Sequence, residues 1–264
     1  MGANRDYTIQ SLHHALKILE TFLEPGRVNQ GVTQISDSLG LNKSRVFRIL
    51  NTLKQHGLVQ QDPDTKQYRL GLRLMTFGAT ASRQLSIVEV ANPILDSLAE
   101  QSGETIHLGI IEDNKAVCIA KRESKHSVRL YAEVGKRVPL NAGGVPKVLL
   151  AHLPPDERSR IIRQEPLPKF TDQTITDPDE LEEVLAQIRH DGYTIAINDL
   201  ETVTHSIAAP IRDHSGRVVA GVSIAGPSHR FSPEKIRRFT RLVCDAAGQI
   251  SNLLGYRNQN AIGV

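Results

Sequence analysis

Tryptophan is absent from this chain, and aromatic residues make up 4% of its 264 positions. Proteins that hold single-stranded nucleic acid stack its bases on aromatic side chains, so this composition disfavours that class. Cysteine occurs only at Cys118 and Cys244, each within an apolar segment. Two such thiols supply neither a disulfide framework nor a metal-ligand cluster, so they read as buried thiols in a reducing compartment. No apolar run reaches the roughly 18 residues that a membrane-spanning helix needs. The N-terminal MGANRDYTIQ also lacks the apolar core of a secretory signal. A cytoplasmic protein with no membrane partner is expected.

Acidic residues are missing from one stretch in particular. Between Ser38 and Gln61 there is none, whereas Lys43, Arg45, Arg48 and Lys54 all fall there. Residues 1–70 hold nine Lys/Arg against six Asp/Glu, and the remainder holds 23 of each. The net charge of +3 therefore belongs entirely to the N-terminal part. A local positive field of this kind attracts phosphate in a salt-dependent manner; the overall pI of about 8.9 alone would say little.

The same stretch has the punctuation of a DNA-reading module. Thr33 is a candidate N-cap for a short helix with Ile35 and Leu39 on its apolar stripe, and Gly40 supplies the turn. Asn42 caps a second helix in which Val46, Ile49, Leu50 and Leu53 share one face. Lys43, Ser44, Arg45, Phe47, Arg48 and Asn51, together with Thr33 on the preceding helix, remain for the DNA. After Gly57, two short strands flank the turn Asp62-Pro63-Asp64, and Lys66 and Arg69 lie near the tip of this wing. Helix, turn, basic helix and hairpin together describe a winged helix-turn-helix for double-stranded DNA. A first helix over 8–24 supports it.

Length favours two domains. The expected boundaries are 1–72 for the DNA-binding domain, 73–86 for a helical linker and 87–264 for the second domain. That second part alternates helical periodicity (Ile87 to Leu98, Val145–Leu153, Pro155–Gln164, Asp177 to Gly192 and Ser232 to Leu254) with strand-like runs. The runs are Thr105–Ile111, Ala116–Lys121, Val128–Ala132, Tyr193–Ile197, Ser206–Arg212 and Arg217–Ala225. Helices flanking a mostly antiparallel sheet make the whole chain α+β.

Several motifs in order carry a family resemblance over essentially the whole chain. They are LNKSRVFRILNTL, QYRLG, GETIHLGII, EVGKRVPLNAGGVPKVLLA, ITDPDELEEVLAQIRHDGY and HSIAAPIRDHSGRVVAGVSIAGP. The chain resembles the IclR family of transcriptional regulators. The resemblance implies an N-terminal winged helix-turn-helix, a linker helix and a C-terminal GAF-like α/β effector-binding domain. It further implies a homodimer or dimer of dimers on palindromic operators, repressing or activating catabolic genes in response to a small organic acid, aromatic acid or sugar-derived metabolite. Repression is the expected direction.

The effector site implied lies between the loop Asn141-Ala142-Gly143-Gly144 with Val145 and the two late strands. Backbone N–H groups entering a helix there suit a carboxylate. Ser206 matches a position often held by cysteine or glycine, Ser223 a pocket serine, and Asn198 and Asp199 a region of polar contact. The chain departs from the usual pattern at Gly143-Gly144, at Pro146-Lys147-Val148, and at Val203 where glycine is common. His107 and His205 are candidates for the same cavity, as hydrogen-bonding groups toward an acid or as metal ligands; ordinary hydrogen-bonded histidines are the default reading. No cysteine or paired carboxylate supports a metal, and no cofactor is expected. Arg129 and Tyr131 alternate with Val128 and Leu130, so Arg129 is either an inward carboxylate clamp or part of a solvated strand face. No Walker loop, dinucleotide fingerprint or Gly-x-Ser-x-Gly elbow occurs, which speaks against catalysis; an enzyme or metal-dependent sensor on the same scaffold is the alternative.

Overall fold

A computed structural model describes residues 8–24, 26–84, 86–126, 133–164 and 166–257. The chain divides into two compact units, residues 1–84 and 85–264.

The first unit contains α1 (Gln10–Thr21), α2 (Val32–Leu39), α3 (Lys43–Gln55), β1 (Val59–Gln61), β2 (Tyr68–Leu70) and α4 (Arg73–Gln84). Its core is the expected stripe: Ile35, Val46, Leu50 and Leu53 pack with Ile18, Phe22, Val59 and Tyr68. Each fully buried side chain of this size contributes roughly 1.5–3 kcal/mol. Gly40 ends α2 in the left-handed conformation, and Asn42 Oδ1 accepts from Ser44 N at 2.8 Å to cap α3. The first cap differs from expectation. Gly31, not Thr33, precedes α2, and Gln34 Oε1 folds back to accept from Gly31 N at 2.8 Å. Thr33 is instead an exposed residue of the first turn. The glutamine reaches back across three residues to satisfy the amide of the cap residue itself, a donor different from the first-turn amide that a threonine hydroxyl would take. The sheet also gains a bridge from Gln30, whose backbone exchanges hydrogen bonds with Tyr68 at 2.9 and 2.8 Å.

The second unit is built on a six-stranded antiparallel sheet. It comprises α5 (Ile87–Ser102), β3 (Thr105–Glu112), β4 (Lys115–Arg122), β5 (Arg137–Val138), α6 (Gly144–Ala151), α7 (Pro155–Gln164), α8 (Pro178–Asp191), β6 (Thr194–Ile197), β7 (Thr204–Arg212), β8 (Val218–Pro227) and α9 (Pro233–Leu253). The strand order is β5-β4-β3-β8-β7-β6. Asp113 and Asn114 both adopt positive φ, which gives the β3–β4 hairpin a turn twisted like its strands. Capping follows the sequence cues: Ser86, Asp177 and Ser232 accept from the first turns of α5, α8 and α9. The expected strand over 128–132, and Arg129 with it, lie outside the described residues.

The sheet is covered on both faces. Leu95 and Leu98 of α5, with Phe239, Val243 and Ile250 of α9, cover Ile106, Leu108, Ile207, Val222 and Ile224. On the other face α6 lies against β7 and β8 and is itself covered by α8, through Val148, Leu149, Leu181, Leu185 and Ile188. Every residue of α6 is buried. Because the pleat alternates, residues 107, 206, 223 and 225 point to the α6 face and residues 106, 205, 207 and 224 to the α9 face. Cys118 and Cys244 are free thiols and half-buried rather than fully buried.

Candidate functional site

The first functional surface is the outer face of α3. Lys43, Ser44, Arg45, Phe47, Arg48 and Asn51 are all exposed there, because the four core positions occupy the opposite side. Phe47 is 52% exposed, an apolar ring left among cations. None of Lys43, Arg45 and Arg48 has an acidic partner among the described residues. Cations without internal partners remain available to phosphates and base edges. A groove lined by Gly31, Thr33, Phe47, Gln61, Thr65 and Lys66 connects the start of α2 with α3 and the wing. The wing tip is organised by Asp62, whose Oδ1 accepts from Asp64 N at 3.0 Å and from the backbone and hydroxyl of Thr65 at 2.7 and 2.9 Å. These donors hold its carboxyl below the ordinary carboxylate range. Lys66 stands at the tip with φ 58° and Nζ on Pro63 O, and Arg69 is exposed on β2.

The second surface is a cavity of about 130 Å³ between the sheet and the start of α6. It brings together His107, Gly143, Gly144, Val145, Asp199, Ser206 and Ser223 from the sequence-derived set. Close approach of α6 to the sheet is what shapes it. A Cβ on Gly144 would fall 2.6 Å from Ser206 Oγ and 3.0 Å from Ala208 Cβ, and one on Gly109 would fall 2.9 Å from Val145 Cγ1. Gly144→Ala should therefore push α6 off β7, at a cost of about 1–3 kcal/mol. With a unit of this size that lowers its melting temperature by roughly 2–12 °C, read by calorimetry. An unchanged transition would mean that the α6–β7 approach is soft.

The start of α6 is more selective than its sequence suggests. Gly143 N already donates to Asp199 Oδ1 at 3.1 Å, and Pro146 has no N–H to offer. That leaves the amides of Gly144 and Val145 for an external anion. Asp199 is held in turn by Lys147, whose Nζ lies 2.6 Å from Oδ2, with side chains 6% and 7% exposed. Thr174 Oγ1 donates to Asp199 O at 2.6 Å. At the mouth, Lys136 Nζ lies 3.5 Å from Glu201, and both side chains are half-exposed.

Three expected site residues do other work. Asn141 is buried, but its amide donates to Pro168 O and Ile175 O at 3.1 and 3.0 Å, tying the segment before α8 to the loop before α6. Asn198, at φ 53°, accepts from Thr204 N and Ser228 Oγ at 2.8 and 3.0 Å, so it shapes the β6–β7 turn. His205 borders the cavity along its strand, but its ring stacks on Phe231 at 5.5 Å on the α9 face. The two histidines thus belong to opposite sides of the sheet, a consequence of odd and even positions on paired strands. Among the described residues no group of three His, Cys, Asp or Glu is placed to hold a metal ion.

Residues missed from sequence include Lys136, Cys118, Val117, Val138, Leu200, Glu201 and Thr204, which also line the cavity. Lys136 stands in the quoted EVGKRVPLN run. Its position depends on Cys118 exchanging backbone hydrogen bonds with Gly135 and Lys136 at 2.7 and 3.1 Å, a long-range pairing with no local signature. Val203, also in the β6–β7 turn, holds φ 61°, which strains a β-branched residue at the edge of the site.

Burial lowers the His107 pKa to about 4, with the charges of Lys121 and Lys136 acting in the same direction. The ring is partly reachable from the cavity, while Nε2 is shielded. Its folded pKa lies below the ordinary 6.5, so the unfolded chain binds more protons between those values and stability falls as pH falls from 6.5 to 4. The loss should be on the order of 2 kcal/mol, discounted for the partial access, and should be missing in His107→Phe. Urea melts of both proteins at pH 7 and pH 4.5 measure it; parallel pH profiles would contradict the assignment.

Comparisons with known proteins agree with this geometry. The model of the IclR helix-turn-helix domain matches residues 11–63, and that of the bacterial transcriptional regulator IclR C-terminal domain matches residues 79–252. The HTH-type transcriptional regulator KdgR of Escherichia coli is 33% identical over 97% of this chain and 98% of its own. The HTH-type transcriptional repressor AllR of Escherichia coli is 36% identical over 94% and 91%. An IclR homolog from Microbacterium hydrocarbonoxydans, solved in complex with 4-hydroxybenzoate, is 28% identical and superposes with a TM-score of 0.59, over 92% of this chain and 98% of that one. These relatives are transcriptional regulators rather than enzymes, and no helix among the described residues is long and apolar enough to cross a membrane. With both models matched in order, a helix-turn-helix carrying an unpaired cationic face, and an α/β unit enclosing a largely apolar cavity, the chain belongs to the IclR family of transcriptional regulators.

Proposed function

We propose that this protein is a cytoplasmic repressor of a catabolic operon, released or tightened on its operator by a small carboxylate bound in the cavity beside α6. The observation that carries the reading is the convergence of the free Gly144 and Val145 amides and the Ser206 and Ser223 hydroxyls on one cavity with apolar walls, with Lys136, ion-paired to Glu201, at its mouth. Amide dipoles and an ammonium favour an anion, and hydroxyls supply further hydrogen bonds. The complex of the Microbacterium relative with 4-hydroxybenzoate supports an organic acid as the ligand class.

On this proposal the protein works as a homodimer, or a dimer of dimers, on a palindromic site. Ile9, Leu12, Leu16 and Leu23 on and beside α1 are 53–66% exposed and follow a heptad spacing, the pattern of a helix that pairs with a second copy. A two-fold dimer presents two copies of α3 to successive major grooves, which requires an operator of matching symmetry. Within each chain we take residues 1–72 as the reader, 73–86 as the connecting helix and 87–264 as the sensor.

The test is binding of the full-length protein to double-stranded fragments from its own genomic neighbourhood, followed by fluorescence anisotropy with and without small carboxylic acids. Effector and operator must shift each other's affinity by the same factor. Nanomolar binding that an acid changes at least tenfold is the expected result. Indifference to all such fragments at low salt would overturn the regulator reading, and DNA binding that no acid alters would overturn the carboxylate.

A further inference from the structure

Among the residues that line the cavity, His107 carries a buried ring nitrogen with nothing to bind. His107 Nε2 is shielded from solvent and has no hydrogen-bond partner. Of the other five such atoms among the described residues, Thr105 Oγ1 and His152 Nε2 belong to residues outside the cavity lining, and three have local explanations. Asp199 Oδ2 is ion-paired with Lys147. His205 Nδ1 belongs to a ring stacked on Phe231 on the α9 face. Asn141 Oδ1 belongs to an amide fixed through its nitrogen. His107 stands on the α6 face of β3, paired directly with Ser223 on β8 and with Lys121 on β4. Folded proteins seldom leave such an atom unpaired, and those that do have commonly kept it for a ligand or a water.

We infer that His107 is a specificity-determining residue of the effector cavity: its ring supplies the hydrogen bond that separates an acid bearing a second oxygen, hydroxyl or oxo, from the plain acid of the same skeleton. The inference rests on the carboxylate reading proposed above. Geometry sets the reach. Val145 touches β3 at Gly109, and His107 is two residues further along the strand, about 7 Å at 3.3 Å per residue. An acid whose carboxylate sits on the Gly144 and Val145 amides therefore meets His107 within a few bonds. The low pKa noted above keeps the ring neutral at pH 7, so one nitrogen donates and the other accepts, and a hydroxyl matches either tautomer. A site built to hydrogen-bond one group rejects the analogue that lacks it, because its own buried atom is then left unpaired.

The experiment is calorimetric titration of the full-length protein and of His107→Leu, His107→Phe and His107→Gln with matched acids: propionate against lactate and pyruvate, butyrate against 3-hydroxybutyrate, and benzoate against 4-hydroxybenzoate. At least one pair should bind the parent protein, with the oxygenated member at least about tenfold tighter. His107→Leu and His107→Phe should bring that ratio to within about threefold, whatever they do to the affinity common to both members, and His107→Gln should restore part of it. A loss of cavity structure would weaken both members alike, so the ratio, not the affinity, carries the answer. Either apolar variant that melts cooperatively suffices; if neither does, His107→Gln decides, since it should keep a smaller preference than the parent and an undiminished one overturns the role. A parent that binds both members equally, or an apolar variant that keeps the preference, overturns the role of His107 and leaves the carboxylate reading standing. If no acid binds the parent, the carboxylate reading falls and this inference with it.

Discussion

Lys147→Met should be the most destabilising single change near the cavity, lowering the stability of the second unit by about 3–5 kcal/mol. The ammonium and the Asp199 carboxylate meet at 2.6 Å, with side chains 6% and 7% exposed. Removing the cation leaves a carboxylate in a dry site with one remaining backbone donor, Gly143 N. The cost comes less from losing the attraction than from stranding the charge. In calorimetry the transition of residues 85–264 should fall by roughly 6–20 °C, at 2–4 °C per kcal/mol for a unit of this size. The double variant Lys147→Met, Asp199→Asn should recover most of the loss, since asparagine keeps an oxygen for Gly143 N and carries no charge. A single variant melting within about 2 °C of the parent would mean that the pair is hydrated and weakly coupled. The pair also governs the ligand site. It keeps Asp199 on Gly143 and away from Gly144 and Val145, so the double variant should retain stability yet respond differently to acids.

Arg48→Ala should weaken operator binding by roughly 1–3 kcal/mol, the worth of one good base contact, which is about a 5- to 150-fold loss. Arg48 is exposed on α3, without an acidic partner among the described residues, so the substitution costs DNA affinity and little else. The melting temperature should not move, because surface changes of this kind stay within about 0.5 kcal/mol. The salt dependence separates two roles. Loss of a phosphate contact flattens the logarithmic salt slope by about one unit and weakens all sequences alike, whereas loss of a base contact leaves the slope and relaxes preference at one base pair. Arg45→Ala, measured beside it, shows which arginine does which. Unchanged anisotropy titrations for both would remove α3 from the interface.

The DNA-reading half was legible because its signals are local. Gly40, Asn42 and the Val46, Ile49, Leu50, Leu53 spacing act within about two turns of backbone, and an acid-free stretch is visible as it stands. Even so, the choice of Gly31 over Thr33 as cap escaped, since Gly31 has no side chain to signal a cap and its amide is met by Gln34 from within the helix. In the second unit the elements were legible, but the side of the sheet each residue faces was not. His107 and His205 look alike in sequence, and only the register of β3, β8 and β7 sends one to the cavity and the other to Phe231.

By itself, then, the order of residues determined what short-range physics controls: helix ends, apolar faces, the cationic helix, and the family those motifs spell. Tertiary structure alone decided which groups meet across long separations. Lys147 with Asp199, Lys136 with Glu201, and the closeness of Gly144 to Ser206 each join segments more than 50 residues apart. Their partners are selected by strand pairing and packing of the whole unit, and no local pattern encodes that choice.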